Sequence, residues 1–466
     1  MMTLQRLFSH FSFCPSILFF DSVLIHKFES MTNSDSEYGT YDVIILGAGI
    51  SGLSTAHQIL SDKPDTSLLL LEARSRCGGR IHTHDLDANA GQGSLTNNVD
   101  LGASQASDSV SPNTSVYSVL EDTKAGEGIW KGVEEKERET LLGISQQWTG
   151  WTGASLDKVS FKYWGFEQEF PGEDAIVKEG YGSLIDYYRK GIERLGGEIK
   201  LETIVDEVVK NEDEDLISVN EKWRSKFVVC SLPLGVLKHS SSMFKPSLPP
   251  RRLSSLKRLG MGLLDKLVLQ YSSHWWSTSD KTEGWIMLLP SPKWSSMIES
   301  QRSNSSFPMS KETSLELLGN CPLLLQDYHQ ITKQSVLVAF FGPPLAEILE
   351  SLSEEESSEI IHKRLMSTVA AQSKEKNNIE KPCKVITTRW NSDPFSRGSY
   401  SYLPCSSEGN DGDGDGATPL DMMECSHPLW NGKLGWVGEH TDPDCYASVH
   451  GLSCRVREKV REWLHC

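Results

Sequence analysis

Three glycines near the N-terminus restrict the fold of this chain more than any other feature of its sequence. Gly47, Gly49 and Gly52 follow directly on an apolar run, Val-Ile-Ile-Leu, that is typical of a buried parallel strand. A helical pattern continues to residue 61, and a second apolar run covers residues 67–73. Strand, glycine-rich turn, helix and strand together predict one βαβ unit.

Each glycine of this turn has its own function when a βαβ unit holds a dinucleotide. Gly47 permits the tight turn, Gly49 lets the backbone approach a pyrophosphate, and Gly52 lets the helix pack on the sheet. The pyrophosphate then lies at the helix N-terminus near Ser51, where exposed N–H groups and the helix dipole attract an anion. Glu72 stands 20 residues after Gly52, the spacing of an acid that accepts a hydrogen bond from a ribose hydroxyl. The sequence therefore predicts dinucleotide binding.

A second glycine-rich motif indicates which dinucleotide is bound. Glu-Ala-Arg at 72–74 leads into Gly-Gly-Arg at 78–80, where Arg80 can face the same pyrophosphate. This combination resembles the flavin-containing amine oxidase family, which includes polyamine and spermine oxidases, monoamine oxidases and lysine-specific histone demethylases. Further motifs follow in the order that the family has them, at residues 180–184, 231–237, 265–266, 397–402, 438–439 and 449–451. The match to polyamine oxidases is carried by the segment Arg-Gly-Ser-Tyr-Ser-Tyr at 397–402.

The resemblance implies an α/β fold with bound FAD. A Rossmann-type FAD-binding domain made of discontinuous segments is expected beside a mixed α+β substrate-binding domain. Residues 40–105, 180–240 and 390–466 are predicted to form the first domain, and residues 106–179 and 241–389 the second. Residues 1–39 are expected to be unstructured or a targeting segment, and Met31 is the simpler choice of start.

The resemblance also implies roles for single residues. Val205 matches the valine whose backbone meets the adenine, Trp390 packs near the flavin ring, and Glu439 holds ribitol hydroxyls. Lys266 matches the lysine that holds a water against the reactive nitrogen of the flavin. The full set predicted to bind FAD is Gly47, Gly49, Ser51, Gly52, Glu72, Ala73, Arg74, Gly79, Arg80, Val205, Trp390, Gly438, Glu439 and Val449.

Lys266 and Tyr400 are the predicted catalytic residues. The flavin takes a hydride from the carbon beside the amine nitrogen, so the protein has to present a neutral amine, and aromatic walls do so without a competing charge. Tyr400 is the expected wall, with Tyr402 and Ser448 as further substrate contacts. A serine at 448 gives a half-open cage, closer to spermine-type oxidases than to monoamine oxidases, and Tyr446 nearby compensates for it.

The charge of the chain favours a cationic substrate. Its 63 acidic and 46 basic side chains give a net charge of -17, which repels nucleic acid and attracts cations such as polyamines or basic peptides, although a role in solubility alone explains the charge equally well. Candidate carboxylates are crowded in one short stretch, where a solvated loop is an equally good interpretation; they are Glu167, Glu169, Glu173 and Asp174. The expected partners are a polyamine and dioxygen, without nucleic acid.

The sequence predicts neither a membrane-inserted segment nor a metal site. No apolar run approaches the ~20 residues that span a bilayer, so no stable membrane insertion is expected. The ten cysteines lack metal-type spacing, and Met422 occupies the glutamate position of a calcium-like motif near 411, so no metal site is predicted. The oligomeric state and the compartment stay open, with the cytoplasm favoured.

Two alternatives follow from departures from the family pattern. Residues 105–108 lack the histidine that family members place beside the substrate tunnel, and the segment up to Gly180 is about half the expected length. A protein that binds FAD but catalyses weakly, acting in binding or regulation, therefore stays open. A histone demethylase is disfavoured, because the chain has neither a basic surface nor a long helical insertion. Four tryptophans are expected to serve only in packing: Trp148, Trp151, Trp275 and Trp276.

Overall fold

The described part of the chain contains both expected kinds of sheet. A computed structural model describes residues 39–86, 98–103, 105–106, 134, 137, 141, 144, 147–163, 166, 175–177, 179–211, 215–276, 284–294, 296–298, 309–370, 379–405, 416–449 and 460. Its strands are β1 (Gly39–Leu46), β2 (Leu68–Leu71), β3 (Thr83–Asp85), β4 (Asn98–Asp100), β5 (Gln105–Ala106), β6 (Ala175–Ile176), β7 (Glu198–Lys200), β8 (Val208–Lys210), β9 (Ile217–Val219), β10 (Trp223–Cys230), β11 (Phe244–Lys245), β12 (Gly260–Gly262), β13 (Asp265–Gln270), β14 (Trp285–Leu288), β15 (Leu323–Asp327), β16 (Val336–Phe341), β17 (Lys384–Thr387), β18 (Tyr400–Tyr402) and β19 (Leu434–Trp436). Its helices are α1 (Ile50–Asp62), α2 (Trp148–Thr152), α3 (Gly182–Arg194), α4 (Leu234–Ser240), α5 (Pro250–Arg258), α6 (Lys311–Asn320), α7 (His329–Thr332), α8 (Leu345–Ser351), α9 (Glu354–Thr368) and α10 (Pro419–Ser426).

A parallel sheet positions the glycine-rich turn. β1 lies between β2 and β10, and both neighbours run parallel to it. β7 continues the sheet beyond β2, and β19 pairs in parallel with β10 on the other side. The side chains of Ile44, Ile45 and Leu46 are fully buried, as expected for a strand covered on both faces. This Rossmann-like sheet, together with α1 after β1, confirms the predicted α/β class.

The strand order creates a crevice at the carboxyl end of β1. The chain runs outward from β1 to β2 and β7 and later returns to β10 on the opposite side. The carboxyl ends of β1 and β10 are therefore adjacent, at the type of topological switch point where open α/β sheets bind ligands. Ser231, just after β10, donates its hydroxyl to the carbonyls of Leu46 and Gly47 at 2.7 and 3.0 Å, which joins the two strand ends.

A second sheet faces the crevice from the later part of the chain. Its order is β14-β15-β16-β13-β17, and all its neighbouring strands are antiparallel. Every residue of β13 is buried. Trp275 and Trp276 lie in the apolar core of this part of the chain, with ring centroids 5.3 Å apart, as their predicted packing role requires.

The apolar pattern of residues 200–209 predicts one strand, and this prediction is wrong in its middle, because β7 and β8 are separate elements. Glu202 adopts a left-handed backbone conformation with φ of 52°. The side-chain carbonyl of Asn220 accepts from the backbone N–H groups of Asp206 and Glu207 at 2.9 and 3.1 Å. These side-chain bonds occupy N–H groups that would otherwise pair with a neighbouring strand. Residues 203–206 do not form a strand and line a cavity instead.

The acidic run near residue 354 predicts the first turn of a helix near 353–372, and α9 does begin there but is shorter. Ser353 is the N-cap of α9, and its hydroxyl accepts from the N–H of Glu356 at 3.2 Å. The Glu356 carboxylate in turn accepts from the N–H of Ser353 at 3.0 Å. This capping box satisfies two backbone donors, and the acids complement the helix dipole. The sequence also predicts helices at 134–147 and through residue 461, and both lie largely outside the described residues.

Candidate functional site

A single elongated cavity runs from the glycine-rich turn to the second sheet. Its volume is about 1000 Å³, the size expected for a site that encloses a large cofactor and a small substrate. Residues after β1, β2 and β10 line one end, which we call the nucleotide end. Residues of β13, β14, β15, β16 and β18 line the other, which we call the amine end.

The glycines at the nucleotide end leave room for a ligand in one place and none in another. Gly47 has a φ of +99°, which favours glycine. A Cβ on Gly52 would lie 2.0 Å from the carbonyl oxygen of Gly47, so α1 can approach the turn only with glycine there. A Cβ on Gly49 would meet nothing within 4 Å, although this residue lines the cavity. The turn therefore has an open concave surface next to Gly49.

Two buried carboxylates face the cavity, and the first is Glu72 at the end of β2. Its Oε2 accepts from the N–H of Ala48 at 2.7 Å, and its Oε1 accepts from the N–H of Arg74 at 2.9 Å. These bonds fix the side chain between the turn and the following loop. Each carboxylate oxygen has two lone pairs, so both oxygens retain the capacity to accept from a ligand hydroxyl.

The second buried carboxylate, Glu439, forms an ion pair across the cavity wall. Its Oε1 lies 2.9 Å from Nη1 of Arg80, and its Oε2 accepts from the N–H and the hydroxyl of Ser401 at 3.1 and 2.5 Å. Burial by itself raises the pKa of Glu439, but Arg80, His440 and Ser401 outweigh it and lower that pKa below its ordinary value. The carboxylate is thus held charged where the last segment of the chain meets the second glycine motif.

Lys266 lies at the amine end and is 3% exposed, so it is a buried side chain and not a surface lysine. Its Nζ donates to the carbonyls of Asp100 and Gly102 at 3.0 and 2.6 Å, and lies 5.2 Å from the centre of the Phe340 ring. Burial lowers the pKa of Lys266 to about 8, against the opposing effect of the Asp100 carboxylate. An ammonium that exchanges its proton near neutral pH therefore stands in the cavity wall.

An aromatic and aliphatic surface surrounds Lys266. Lys266 and Phe340 are directly paired across β13 and β16, and Phe340 is paired with Leu324 of β15. Directly paired residues point to the same face of a sheet, so these three side chains form one row along the cavity. Trp285 extends the surface, with its ring centre 5.7 Å from that of Phe340.

Tyr400 forms another part of this wall. Its hydroxyl donates to the carbonyl of Gly150 in α2, and its ring packs so closely on Gly153 that a Cβ there would lie 2.8 Å away. Burial raises the pKa of Tyr400, so its hydroxyl stays protonated. Tyr402, two residues on, and Ser448 also line the cavity, as does Tyr446.

The structure brings together nearly all the residues that the sequence nominated. All of the predicted cofactor, catalytic and substrate residues line the cavity except Gly52, which packs behind the turn, and Gly438, which precedes Glu439. The four clustered acids at 167–174 lie outside the described residues. One expectation is wrong: Trp151 is 56% exposed and lines the cavity, so it is not a packing residue.

Sequence reasoning missed the sheet face of the amine end. Trp285, Leu324 and Phe340 carry no local motif, and each stands in an apolar run that indicates only a strand. Their position beside Lys266 depends on the pairing of β13, β15 and β16. Only the pairing of the predicted strands could have revealed these residues. The register of that pairing cannot be read from the sequence of any single strand.

Comparison with known proteins identifies the family. A family model described as flavin containing amine oxidoreductase matches residues 106–451, and one described as an NAD(P)-binding Rossmann-like domain matches residues 45–123. The first match covers well over half of the chain. The chain belongs to the flavin-containing amine oxidoreductase family. Its cofactor is FAD, and the suspected family resemblance is thereby confirmed.

Relatives of two kinds are similar to this flavoprotein. Lysine-specific histone demethylase 1 homolog 2 of Arabidopsis thaliana is 25% identical over 482 residues, which cover 91% of the chain and 58% of the relative. Polyamine oxidase 3 of Oryza sativa subsp. japonica is 25% identical over 498 residues, 91% of the chain and 91% of the relative. The chain thus spans little more than half the length of the demethylase, and identity does not separate the two kinds.

The cavity fits FAD by two observations on its own residues. The open surface at Gly49 is where a pyrophosphate can approach the backbone, and it adjoins the N-terminus of α1. The buried carboxylates of Glu72 and Glu439 supply acceptors at separate points along the cavity, as a ligand with several hydroxyl groups requires.

The described residues contain neither a membrane-spanning helix nor a metal-binding cluster. No helix among them is long and apolar enough to cross a membrane. No group of three or more His, Cys, Asp or Glu side chains in that part of the chain is arranged to hold a metal ion.

Proposed function

We propose that this flavoprotein oxidises polyamines, such as spermine, spermidine or their acetylated forms. Dioxygen is the second substrate, and the products are an aldehyde, a shorter amine and hydrogen peroxide. The observation that carries the proposal is the buried Lys266 in an otherwise apolar wall that includes Tyr400 and Phe340. The choice of polyamines among amines rests on the resemblance of the segment at 397–402 to polyamine oxidases.

The residues at the nucleotide end hold the cofactor in this proposal. The turn at Gly49 and the start of α1 receive the pyrophosphate, with Arg80 nearby, and Glu72 accepts from a ribose hydroxyl. Glu439 holds ribitol hydroxyls, and Val205 meets the adenine through its backbone. The predicted contacts of Ser51, Ala73, Arg74, Gly79 and Val449 complete this set.

The residues at the amine end bind and orient the substrate. Bound FAD supplies the hydride acceptor. Trp390, Tyr400 and Phe340 supply apolar surfaces that favour the uncharged form of the amine. Lys266 holds a water in a fixed position, since its Nζ is anchored by two carbonyls and its backbone N–H donates to Thr388 at 2.7 Å.

The decisive experiment compares substrates under anaerobic and aerobic conditions. The purified protein is mixed with spermine, spermidine, an acetylated polyamine or benzylamine, while flavin bleaching and peroxide release are followed. Bleaching by polyamines, with peroxide formed on admission of air, is the expected result. If benzylamine is the best substrate, the polyamine assignment fails and the amine oxidase remains. If FAD is bound but no amine bleaches it, the weakly catalytic alternative is correct.

Salt provides a second test of the polyamine proposal. A cation that carries several charges gains from each nearby carboxylate, and exposed charges are screened beyond ~8 Å at physiological ionic strength. The apparent affinity for spermine should therefore fall more steeply than that for a monoamine as salt rises. Equal salt dependence for both would contradict an acidic approach to the cavity.

A histone demethylase is the second candidate, because the relative that carries this name is as similar in sequence as the polyamine oxidase. The chemistry is the same, since a methylated lysine is also an amine with an oxidisable carbon. A dimethyl-lysine peptide added to the substrate panel distinguishes the two. Faster bleaching by the peptide than by spermine would favour the demethylase.

A further inference from the structure

Behind the strand that carries Lys266 lies a pair of carboxyl groups whose association no motif predicts. Asp265 precedes Lys266 in β13, so its side chain points to the opposite face of the sheet. It is fully buried. Its Oδ1 accepts from the hydroxyl of Thr388 at 2.7 Å and from the N–H of Trp390 at 3.2 Å. Its Oδ2, equally buried, has no hydrogen-bond partner among the described residues.

Glu350, from the end of α8, is the neighbouring carboxyl group of Asp265. Its Oε1 accepts from the N–H of Asn391 at 2.7 Å, and its Oε2 accepts from the N–H of Ser392 at 3.0 Å. The two side chains therefore bind three successive backbone N–H groups, at residues 390, 391 and 392. This short segment follows β17 and carries Trp390, 7% exposed, into the wall of the cavity.

An ionised carboxylate at the buried position of Asp265 would lose its hydration, and the Glu350 carboxylate, which binds the adjacent N–H groups, would repel it. A proton on Oδ2 of Asp265 removes both costs, because it neutralises the buried group. Burial raises the pKa of Asp265, and the adjacent Glu350 raises it further, against the opposing bonds from Thr388 and Trp390. The burial of Asp265 and the unpartnered position of its Oδ2 favour a protonated side chain.

We infer that Asp265 is protonated in the folded protein, and that Asp265 and Glu350 together form a pH-sensitive clamp that positions Trp390 against the flavin ring. Asp265 is a positioning residue in this scheme, since it acts through Trp390. The inference rests on the proposed location of the flavin ring beside Trp390. Loss of the proton would place two negative charges under the segment 390–392 and loosen it.

The other charged groups around the pair do not replace the proton. Arg389 donates to the backbone carbonyls of Glu350 and Leu352. Glu347, one turn earlier in α8, is a further acid whose pKa is raised by burial. Glu354 of α9 accepts from the N–H of Thr387 at 2.9 Å. Lys266 faces the cavity on the opposite side of β13, anchored by its bonds to Asp100 and Gly102.

The first test is thermal unfolding of the FAD-loaded protein between pH 5 and pH 8. The folded protein keeps a proton on Asp265 that the unfolded chain releases, so wild-type stability falls with rising pH, by up to about tenfold in the unfolding constant per pH unit. Asp265→Asn keeps a neutral donor and lacks this dependence. Its melting temperature relative to wild type should therefore rise across this range.

Glu350→Gln should show a weaker pH dependence than wild type, because it removes the repulsion by Glu350 while burial still raises the pKa of Asp265. Asp421→Asn is the matched control. Asp421 is 3% exposed on α10, and Arg258 and Ser255 overcome the effect of burial and lower its pKa. This control should lose stability by an amount that does not vary between pH 5 and pH 8. A similar constant loss in Asp265→Asn would show that Asp265 is ionised and overturn the inference.

The second test separates positioning from stability. The visible absorbance of bound flavin is recorded while the pH is raised from 6 to 9.5, a measurement that needs no amine and no turnover. Titration of Lys266, whose pKa is about 8, is common to both proteins, so the wild-type bands should show an additional shift from the loss of the Asp265 proton that Asp265→Asn lacks. Identical titrations in both proteins would refute the clamp, whereas failure of the substrate panel would refute only the proposed function.

Discussion

The nucleotide end and the amine end of the cavity are built in different ways. At the nucleotide end, a short stretch of sequence supplies the turn, the helix start and the acid at the end of β2. At the amine end, side chains from β13, β14, β15 and β16 meet only because those strands pair. Substitutions at the first end should therefore change cofactor binding, and those at the second end should change turnover with the cofactor retained.

The largest effect is expected at Gly49. Gly49→Val places a side chain in the open surface of the turn without meeting a neighbour, so the protein should fold but purify without FAD. The flavin absorbance of the purified protein and its thermal unfolding measure the two properties separately. Gly319→Ala in α6 is the control, since its Cβ would make an ordinary contact at 3.7 Å from Ile360. A yellow Gly49→Val protein with normal FAD content would show that the cofactor does not bind at this turn.

Substitution of Gly52, three residues later, should impair the protein for a different reason. A Cβ on Gly52 collides with the backbone of Gly47, and overpacking of this kind costs about 3 kcal/mol or more. Gly52→Ala should therefore lose stability even when the unfolding of FAD-free protein is measured. Equal stability of the FAD-free Gly52→Ala and Gly49→Val proteins would contradict the distinction between the two glycines.

Glu439→Gln should weaken both stability and FAD binding. Removing one partner of a buried ion pair leaves Arg80 without its counter-charge and costs about 3 kcal/mol. The pKa of Glu439 is lowered from its ordinary value of 4.5, so its contribution is complete above that pH and is lost as the pH falls through the folded value. Acid unfolding curves should show wild type losing more stability than Glu439→Gln below pH 4.5. Parallel curves would mean that the pair contributes nothing.

The same contrast explains what the sequence could predict. The glycines, Glu72 and the residues of the family motifs are local patterns, and their spacing already implies a turn, a helix start and an acid. Phe340 and Trp285 are apolar residues in strands, and their place in the wall depends on a register set by the whole sheet. The association of Asp265 with Glu350 could not be predicted for a related reason, because the two residues are 85 positions apart in the chain. The broken strand after β7 shows that apolar alternation also overstates strand length.

Lys266→Met should leave FAD bound and slow the reaction with amines by about a hundredfold, since misplacing a group by 1 Å costs that much. Anaerobic flavin reduction and reoxidation by air should be measured separately. The change should also remove a pH effect on stability. The pKa of Lys266 is lowered to about 8, so the unfolded chain binds more protons above that pH and wild-type stability rises between pH 8 and 10.5.

Lys257→Met, at an exposed position of α5, is the control for this change and should alter neither rate nor pH dependence. If Lys266→Met reduces and reoxidises its flavin at wild-type rates, the lysine has no part in the reaction. If it loses FAD instead, the amine end also holds the cofactor, and the comparison between the two ends breaks down.

The smallest effect is expected at Trp151, the exposed tryptophan of the amine end. Its indole lines the cavity while 56% of its surface stays exposed, so little packing is lost on truncation and the melting temperature of Trp151→Ala should match wild type. A cationic amine over an exposed aromatic ring gains about 0.5–1 kcal/mol, which corresponds to a two- to fivefold rise in KM for spermine. Leu420→Ala, 63% exposed on α10 and outside the cavity lining, is the control and should change neither quantity. An unchanged KM would remove Trp151 from the substrate path. A loss of FAD would extend the nucleotide end further along the cavity than the motifs indicate.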